Sequence, residues 1–236
     1  MMKNIIKTTI TRTLKTTLLL TTVATISHAG MSDDPLRGML TIDQLEYQDN
    51  SEKNIAWNTN FWLGKDLNKL YFYTEGEKPK GESVGSENQL VYSRAIAPFW
   101  DIQYGVGYDK TATDSQTWGV IALQGLAPYF FETRGALLVG DNGNLGLRLE
   151  AEYEALFTQK LILTPSVSFD AYSKDNVSMG LGKGLSNITA GMRLRYEIRR
   201  EFAPYVGWEW SKNFGNTADL SPLDEGYAVT GFRVWF

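Results

Sequence analysis

Arg148, Glu150, Glu152 and Glu154 stand at every second position, with Leu147, Leu149, Ala151 and Tyr153 between or beside them. A period of two puts the four charged side chains on one face of an extended strand and the apolar ones on the other. A helix would scatter the same charges around its circumference. Carboxylates repeated along one wall attract cations, and in a confined space they line a path for them. Residues 188–198 repeat the pattern, with Arg193, Arg195 and Glu197 in the polar set. Alternation also assigns Asp101, Gln103, Glu132 and Arg134 to the polar face, then Asp170, Glu209 and Arg233; Glu75 and Glu77 join them. Charges of both signs in a dry interior are costly unless paired. Part of this set is therefore expected to be salt-bridged filling, and the rest a hydrated cation path.

Other chemistry is narrow. Cysteine is absent and the one histidine is His28, so disulfides and thiolate sites are excluded. Metal ligation falls to methionine thioether, a soft donor, and carboxylate oxygen, a harder one. Met31 and Met39 flank Asp33-Asp34 and form the candidate metal group. Met179 reads as part of an outer loop and Met192 as apolar-face packing. Gly81-Glu82-Ser83-Val84-Gly85 matches the G-x-S-x-G nucleophile elbow, but no histidine outside the leader stands ready to take a serine proton, so no enzyme is read from it. Gly180-Leu181-Gly182-Lys183-Gly184 lacks the spacing of a phosphate loop and reads as a flexible outer loop.

The elements that must carry these residues are strands. Residues 1–29 read as a secretory signal: basic Lys3, Lys7, Arg12 and Lys15, a short apolar run at Leu18-Leu19-Leu20, and the small-x-small Ser27-His28-Ala29. The apolar run is well short of the ~20 residues of a spanning helix. Cleavage would remove four basic residues and no acidic one, doubling the net charge of −4. An acidic chain argues against nucleic acid and suits a cationic partner or permeant. Residues 30–39 are expected to form a short periplasmic leader and 40–236 the folded body.

That body reads as an all-β, antiparallel transmembrane β-barrel of about twelve strands, each near the ~9–11 residues that a tilted membrane strand needs. The strands are expected near 40–49, 55–63, 69–77, 87–94, 99–109, 117–126, 129–139, 145–156, 160–172, 187–198, 202–212 and 227–236. Connections at Arg94–Pro98, Gly125–Pro128, Phe157–Lys160 and Arg199–Glu201 are tight. Those at Gly76–Asn88, Lys110–Gln116, Ser173–Gly184 and Phe214–Gly226 are longer and polar. Short periplasmic turns, longer extracellular loops and an even strand count, with both termini periplasmic, are the pattern of bacterial outer-membrane barrels. Phe99, Trp100, Tyr129, Phe130, Phe131, Phe157, Phe202 and Tyr205 cluster at the tight turns and read as an interfacial aromatic girdle. Pro165 falls on an apolar face and deletes a ladder hydrogen bond. The alternating segment 228–236 stops on Phe236, like a closing strand.

Several runs carry a family resemblance. Asp34-Pro35-Leu36, Asp43-Gln44-Leu45-Glu46-Tyr47, the stretch Tyr92–Asp101, Gln124–Glu132, Leu147–Glu154, Leu194–Tyr205 and Phe214–Ala218 together resemble the copper resistance protein B family. The resemblance spans Asp34 to Phe236. It implies an integral outer-membrane protein that handles copper, bound transiently or transported, beside a periplasmic multicopper oxidase. Family members often carry a Met- and His-rich N-terminal extension; residues 30–34 hold one Met and no His, and Met39 follows. Copper action is therefore expected in the lumen of a monomer, or in delivery between the barrel and its periplasmic partner. The alternatives are a non-conducting barrel that docks the oxidase and a general small-solute porin.

Overall fold

A strand with lipid on one side and its own interior on the other is stable only if every backbone group finds a neighbour, which forces the sheet to close. The computed structural model describes residues 34–79 and 84–236, and there the sheet does close. Its segments are β1 (Arg37–Gln48), β2 (Ile55–Gly64), β3 (Asn68–Lys78), β4 (Gly85–Ala97), β5 (Trp100–Lys110), β6 (Ser115–Ala127), β7 (Phe131–Gly140), β8 (Leu145–Glu152), β9 (Ala155–Leu156), β10 (Leu161–Tyr172), β11 (Gly184–Tyr196), β12 (Phe202–Asn213) and β13 (Asp224–Trp235). Apart from β8 and β9, which both pair with β10, consecutive segments pair antiparallel, and β1 pairs β13 from Thr41↔Trp235 to Gln48↔Val229. Phe236 donates its N–H to Leu40 O at 2.9 Å and accepts the Leu40 N–H at 3.1 Å, so the last residue locks the seam.

β8 and β9 are one stave, which makes a twelve-strand barrel. Both pair with β10 in the same register, interrupted at Tyr153-Glu154, opposite Pro165. Tyr153 donates to Pro165 O at 3.1 Å, but proline has no N–H to return. The gap is the cost of that one missing donor.

Leu90, Tyr104, Val106, Ile121, Leu137, Leu147, Met192, Val206 and Trp208 are all exposed on the outside. A continuous outward apolar band of this kind faces lipid. Phe99, Tyr129, Phe130 and Phe157 project from the turns at the end that carries Phe236. Tyr205 does not belong with them. It is 5% exposed and points inward, donating its hydroxyl to Glu46. Phe99, Tyr129 and Phe130 have positive φ (68°, 68° and 66°). β5 therefore opens at Trp100 and β7 at Phe131, later than the expected 99 and 129. β1 opens at Arg37, so Met39 lies inside a strand, not in the leader before it.

The interior is not charged throughout. Val91, Trp118, Val120, Ala122, Ala136, Leu138 and Tyr172 form a buried apolar cluster against the inner walls of β4 to β10. At the end away from Phe236, the 173–183 segment is tied to its neighbours by hydrogen bonds. Gly182 N–H donates to Thr217 Oγ1 at 2.8 Å, beside the short helix α1 (Gly215–Leu220). A Cβ on Gly182 would lie 2.2 Å from Thr217 N, so only glycine fits this approach. Thr113 Oγ1 donates to Ser178 O at 2.6 Å, and the Ser178 hydroxyl donates to Asp114. That bond and the Ser115 N–H hold the Asp114 carboxyl below its ordinary value. The Lys183 N–H and Asn216 do the same for Asp175.

Candidate functional site

The lumen is built by the inward positions of every strand, and its charged residues fall into three ion networks. In the first, Arg193 (β11) donates through Nε and Nη2 to Glu46 (β1), both at 2.9 Å, and through Nη2 to Glu209 (β12) at 2.6 Å. Tyr205 and Tyr227 donate to the same carboxylates, and the Glu46 side chain is wholly buried. In the second, Glu154 accepts from Arg195 at 2.7 Å and from Arg233 at 3.1 Å; Glu197 lies 3.8 Å from Arg195, and Arg233 reaches Asp43 at 3.0 Å. In the third, Arg148 (β8) crosses to Glu87 on β4 and to Asp109 on β5 at 2.6 Å, with Asp170 3.7 Å from its Nε.

Arg134 sits apart from these. Its Nη2 donates to Gln89 at 2.5 Å and its Nε to Gln103 at 3.3 Å, while the guanidinium lies 4.7 Å from the centre of the Tyr73 ring. Asp101 accepts from Ser93 at 3.0 Å and Glu75 from Asn58 at 3.2 Å. Among the described residues, Glu132, Glu150 and Glu152 have no hydrogen-bond or ion-pair partner.

Those three open into a chamber of about 490 Å³, lined by six carboxylates (Asp43, Glu75, Glu87, Glu132, Glu150 and Glu152) and two guanidinium groups, Arg134 and Arg233. A second chamber of about 820 Å³ lies toward the 173–183 segment and holds Glu77, Asp109, Glu209 and Glu225 along its wall. The two share Gln44, Asn58, Glu75 and Glu87. Register sharpens the acidity. Glu75 is directly opposite Glu87 on β3–β4, and Glu132 directly opposite Glu152 on β7–β8. Like charges in that position destabilise a sheet, so these two pairs work against the fold that holds them.

Sequence reading brought Glu75, Glu132, Glu150, Glu152 and the arginines to the lumen, but it missed Asp43, Glu46, Glu87 and Asp109. Glu46 and Asp109 were legible as even or odd members of polar alternations (Gln44, Glu46, Gln48; Gln103, Asp109). Asp43 was not, because β1 bulges between Ile42 and Leu45 and the period slips there. In the candidate metal group, Met31 and Asp33 lie outside the described residues, as do Gly81–Ser83 of the nucleophile-elbow match. Asp34 approaches Lys65 at 3.7 Å and accepts the Asp66 N–H. Met39 pairs opposite Trp62. Among the described residues no set of three His, Cys, Asp or Glu side chains is arranged to hold a metal ion. Met179 lies in an outer loop, as expected, but is buried there, with its sulfur 3.8 Å from Thr111 Oγ1, and lines the larger chamber.

Residues 36–236 match the family model described as copper resistance protein B precursor. The chain belongs to the copper resistance protein B family. It is 39% identical over 215 residues to copper resistance protein B of Escherichia coli, a match covering 89% of this chain and 72% of that protein. To the copper resistance protein B homolog of Pseudomonas syringae pv. tomato it is 36% identical over 218 residues, covering 89% and 74%. In fold it is similar to the NanC porin, with a TM-score of 0.53 and 10% identity over 84% of this chain and 99% of that one. Family membership and barrel architecture together make this an outer-membrane β-barrel of copper resistance, a family of resistance proteins rather than of enzymes. The runs that carried the family resemblance map onto the lumen wall and the Phe236 end, except Phe214–Ala218, which lies at α1 on the opposite end. Tyr92–Asp101 forms the β4–β5 turn, Gln124–Glu132 the β6–β7 turn, and Leu147–Glu154 carries the unpartnered Glu150 and Glu152 between the ion-paired Arg148 and Glu154.

Proposed function

We propose that this barrel conducts copper ions across the outer membrane, with the Phe236 end and its short turns in the periplasm and the longer loops outside. The carrying observation is the ladder of unpaired lumen carboxylates, Glu132, Glu150 and Glu152, running toward the Glu75–Glu87 pair where the two chambers meet. Arginine networks explain Asp43, Glu46, Glu87, Asp109, Glu154 and Glu209 as scaffolding. The ladder glutamates have no such role, and like-charge pairing makes them a burden on stability. Confined carboxylates facing water raise the local cation concentration, and a path of several weak sites lets an ion enter and leave. Copper enters this reading from the family, as does a periplasmic multicopper oxidase that would meet the ion at the Phe236 end. In this reading the barrel acts as a monomer, its closed sheet offering no edge for strand pairing with another copy.

Purified protein in liposomes, with copper entry followed by an internal indicator, tests the reading. Wild type should exceed empty liposomes, and Glu150→Gln with Glu152→Gln should lower the flux. No flux above empty vesicles, together with capture of the oxidase by the barrel, would leave a docking role instead.

A further inference from the structure

The junction of the two chambers is built around a cation that the protein itself supplies. Glu75 and Glu87, directly opposed on β3–β4, line both chambers together with Gln44 and Asn58. From the far wall Arg148 reaches over to Glu87, with its Nη2 on Asp109 at 2.6 Å and on the Tyr172 hydroxyl at 3.1 Å. Its side chain is 6% exposed. The lumen beside it is filled by Trp118, Leu138 and Tyr172, and Trp118 Nε1 holds Asp109 Oδ2 at 2.7 Å. At this level the shared wall of the two chambers presents oxygen donors that face the guanidinium.

Two details show that this position is not saturated by Arg148. Asp109 is 4% exposed, yet its Oδ1 is buried without a partner, a costly state for a carboxylate oxygen. Four carboxyl groups (Glu75, Glu87, Asp109 and Asp170) stand at this level around one guanidinium, which pairs with three of them and leaves Glu75 to Asn58.

We infer that Arg148 is a tethered cation that closes the junction, and that the permeant is the class of ion able to replace a guanidinium among carboxylates, a divalent metal bound through oxygen, Cu(II) in this family. This rests on the conduction reading and names its gate and its substrate class. A monovalent ion brings no more charge than the guanidinium and none of its directed hydrogen bonds. A divalent ion doubles the charge and can take up the free Asp109 oxygen. Junction donors are carboxylate and amide oxygens, suited to harder ions than the thioether that Cu(I) prefers.

The test is single-channel recording in planar bilayers with KCl and CuCl2 as the probes, comparing wild type, Arg148→Met and Arg148→Lys. Arg148→Met should raise K+ conductance by about tenfold, the change that removing ~1.4 kcal/mol from a barrier produces, and should erase the preference for Cu2+ over K+. Arg148→Lys, which keeps the tethered charge, should stay near wild type. Should Arg148→Met fail to insert, Arg148→Met with Asp109→Asn removes the stranded charge and serves in its place. Copper conduction in wild type with no change in the Met variants overturns the gate and leaves the conduction reading intact. A silent wild type with an open Met variant supports the gate and defeats conduction by the native protein. Silence in all forms defeats both.

Discussion

Glu46 offers the sharpest test of how this interior is held. Replacing it with alanine deletes two Arg193 bonds at 2.9 Å, the Tyr205 hydroxyl bond at 2.9 Å and the Gln48 amide bond at 3.2 Å. Breaking a buried ion pair from one side costs about 3–5 kcal/mol, mostly through the stranded partner. Here Arg193 keeps Glu209 at 2.6 Å, so its charge is not orphaned and the low end applies, about 3 kcal/mol. For a domain of this size that corresponds to a fall in Tm of roughly 6–12 °C. Urea unfolding in detergent micelles, followed by tryptophan fluorescence, measures the change. Heat-dependent gel mobility checks it independently. Because an apolar pair of similar volume is often as stable as a buried ion pair, adding Arg193→Met to Glu46→Ala should recover part of the loss. A Glu46→Ala midpoint within about 0.5 kcal/mol of wild type, the range of ordinary surface changes, would refute the idea that this network clamps β1 to β11 and β12.

The other two expectations concern sign. Glu152→Gln removes one charge of the directly opposed Glu132–Glu152 pair and should raise stability by about 0.2–1 kcal/mol while copper flux falls; a variant less stable than wild type in the same urea assay would contradict it. Asp114 is held below its ordinary carboxylate value by Ser178 and Ser115. A depressed folded-state value stabilises the folded form above the unfolded value of ~3.9 and loses that contribution as pH falls through the folded one. Amide-exchange protection of residues 175–183 should therefore hold at about pH 6 and drop near pH 3 and below, with Asp114→Asn weakened already at the higher pH. Equal protection at both pH values would show that Ser178 and Asp114 do not fasten the loop.

Much of the barrel was legible because period two is a local property. Alternation along Leu145–Glu154 and Ile188–Ile198 assigns a face to each side chain without knowledge of any partner, and turn chemistry spaces the strands. Phe236 as a seam residue and the lumen placement of Glu75, Glu132, Glu150 and Glu152 follow from that alone. The β6 face carrying Trp118, Val120 and Ala122 was illegible, since apolar residues stand on both of its sides and only closure decides which turns inward. Tyr205 was misread for the same reason. An aromatic next to a turn suits the membrane interface, but its face of β12 points at Glu46.

What the residue order determined, then, is a strand-built, acidic, lipid-facing chain and the side chains that enter its interior. Which of those meet was decided by tertiary structure. Arg193 finds Glu46 across 147 residues and Arg233 finds Asp43 across 190. The β1 bulge and the β1–β13 seam set those meetings, and neither leaves a trace in local spacing. Closure pairs most lumen charges and leaves Glu132, Glu150 and Glu152 without partners. The difference between filler and path is therefore a matter of geometry across the barrel, where the period of a single strand carries no information.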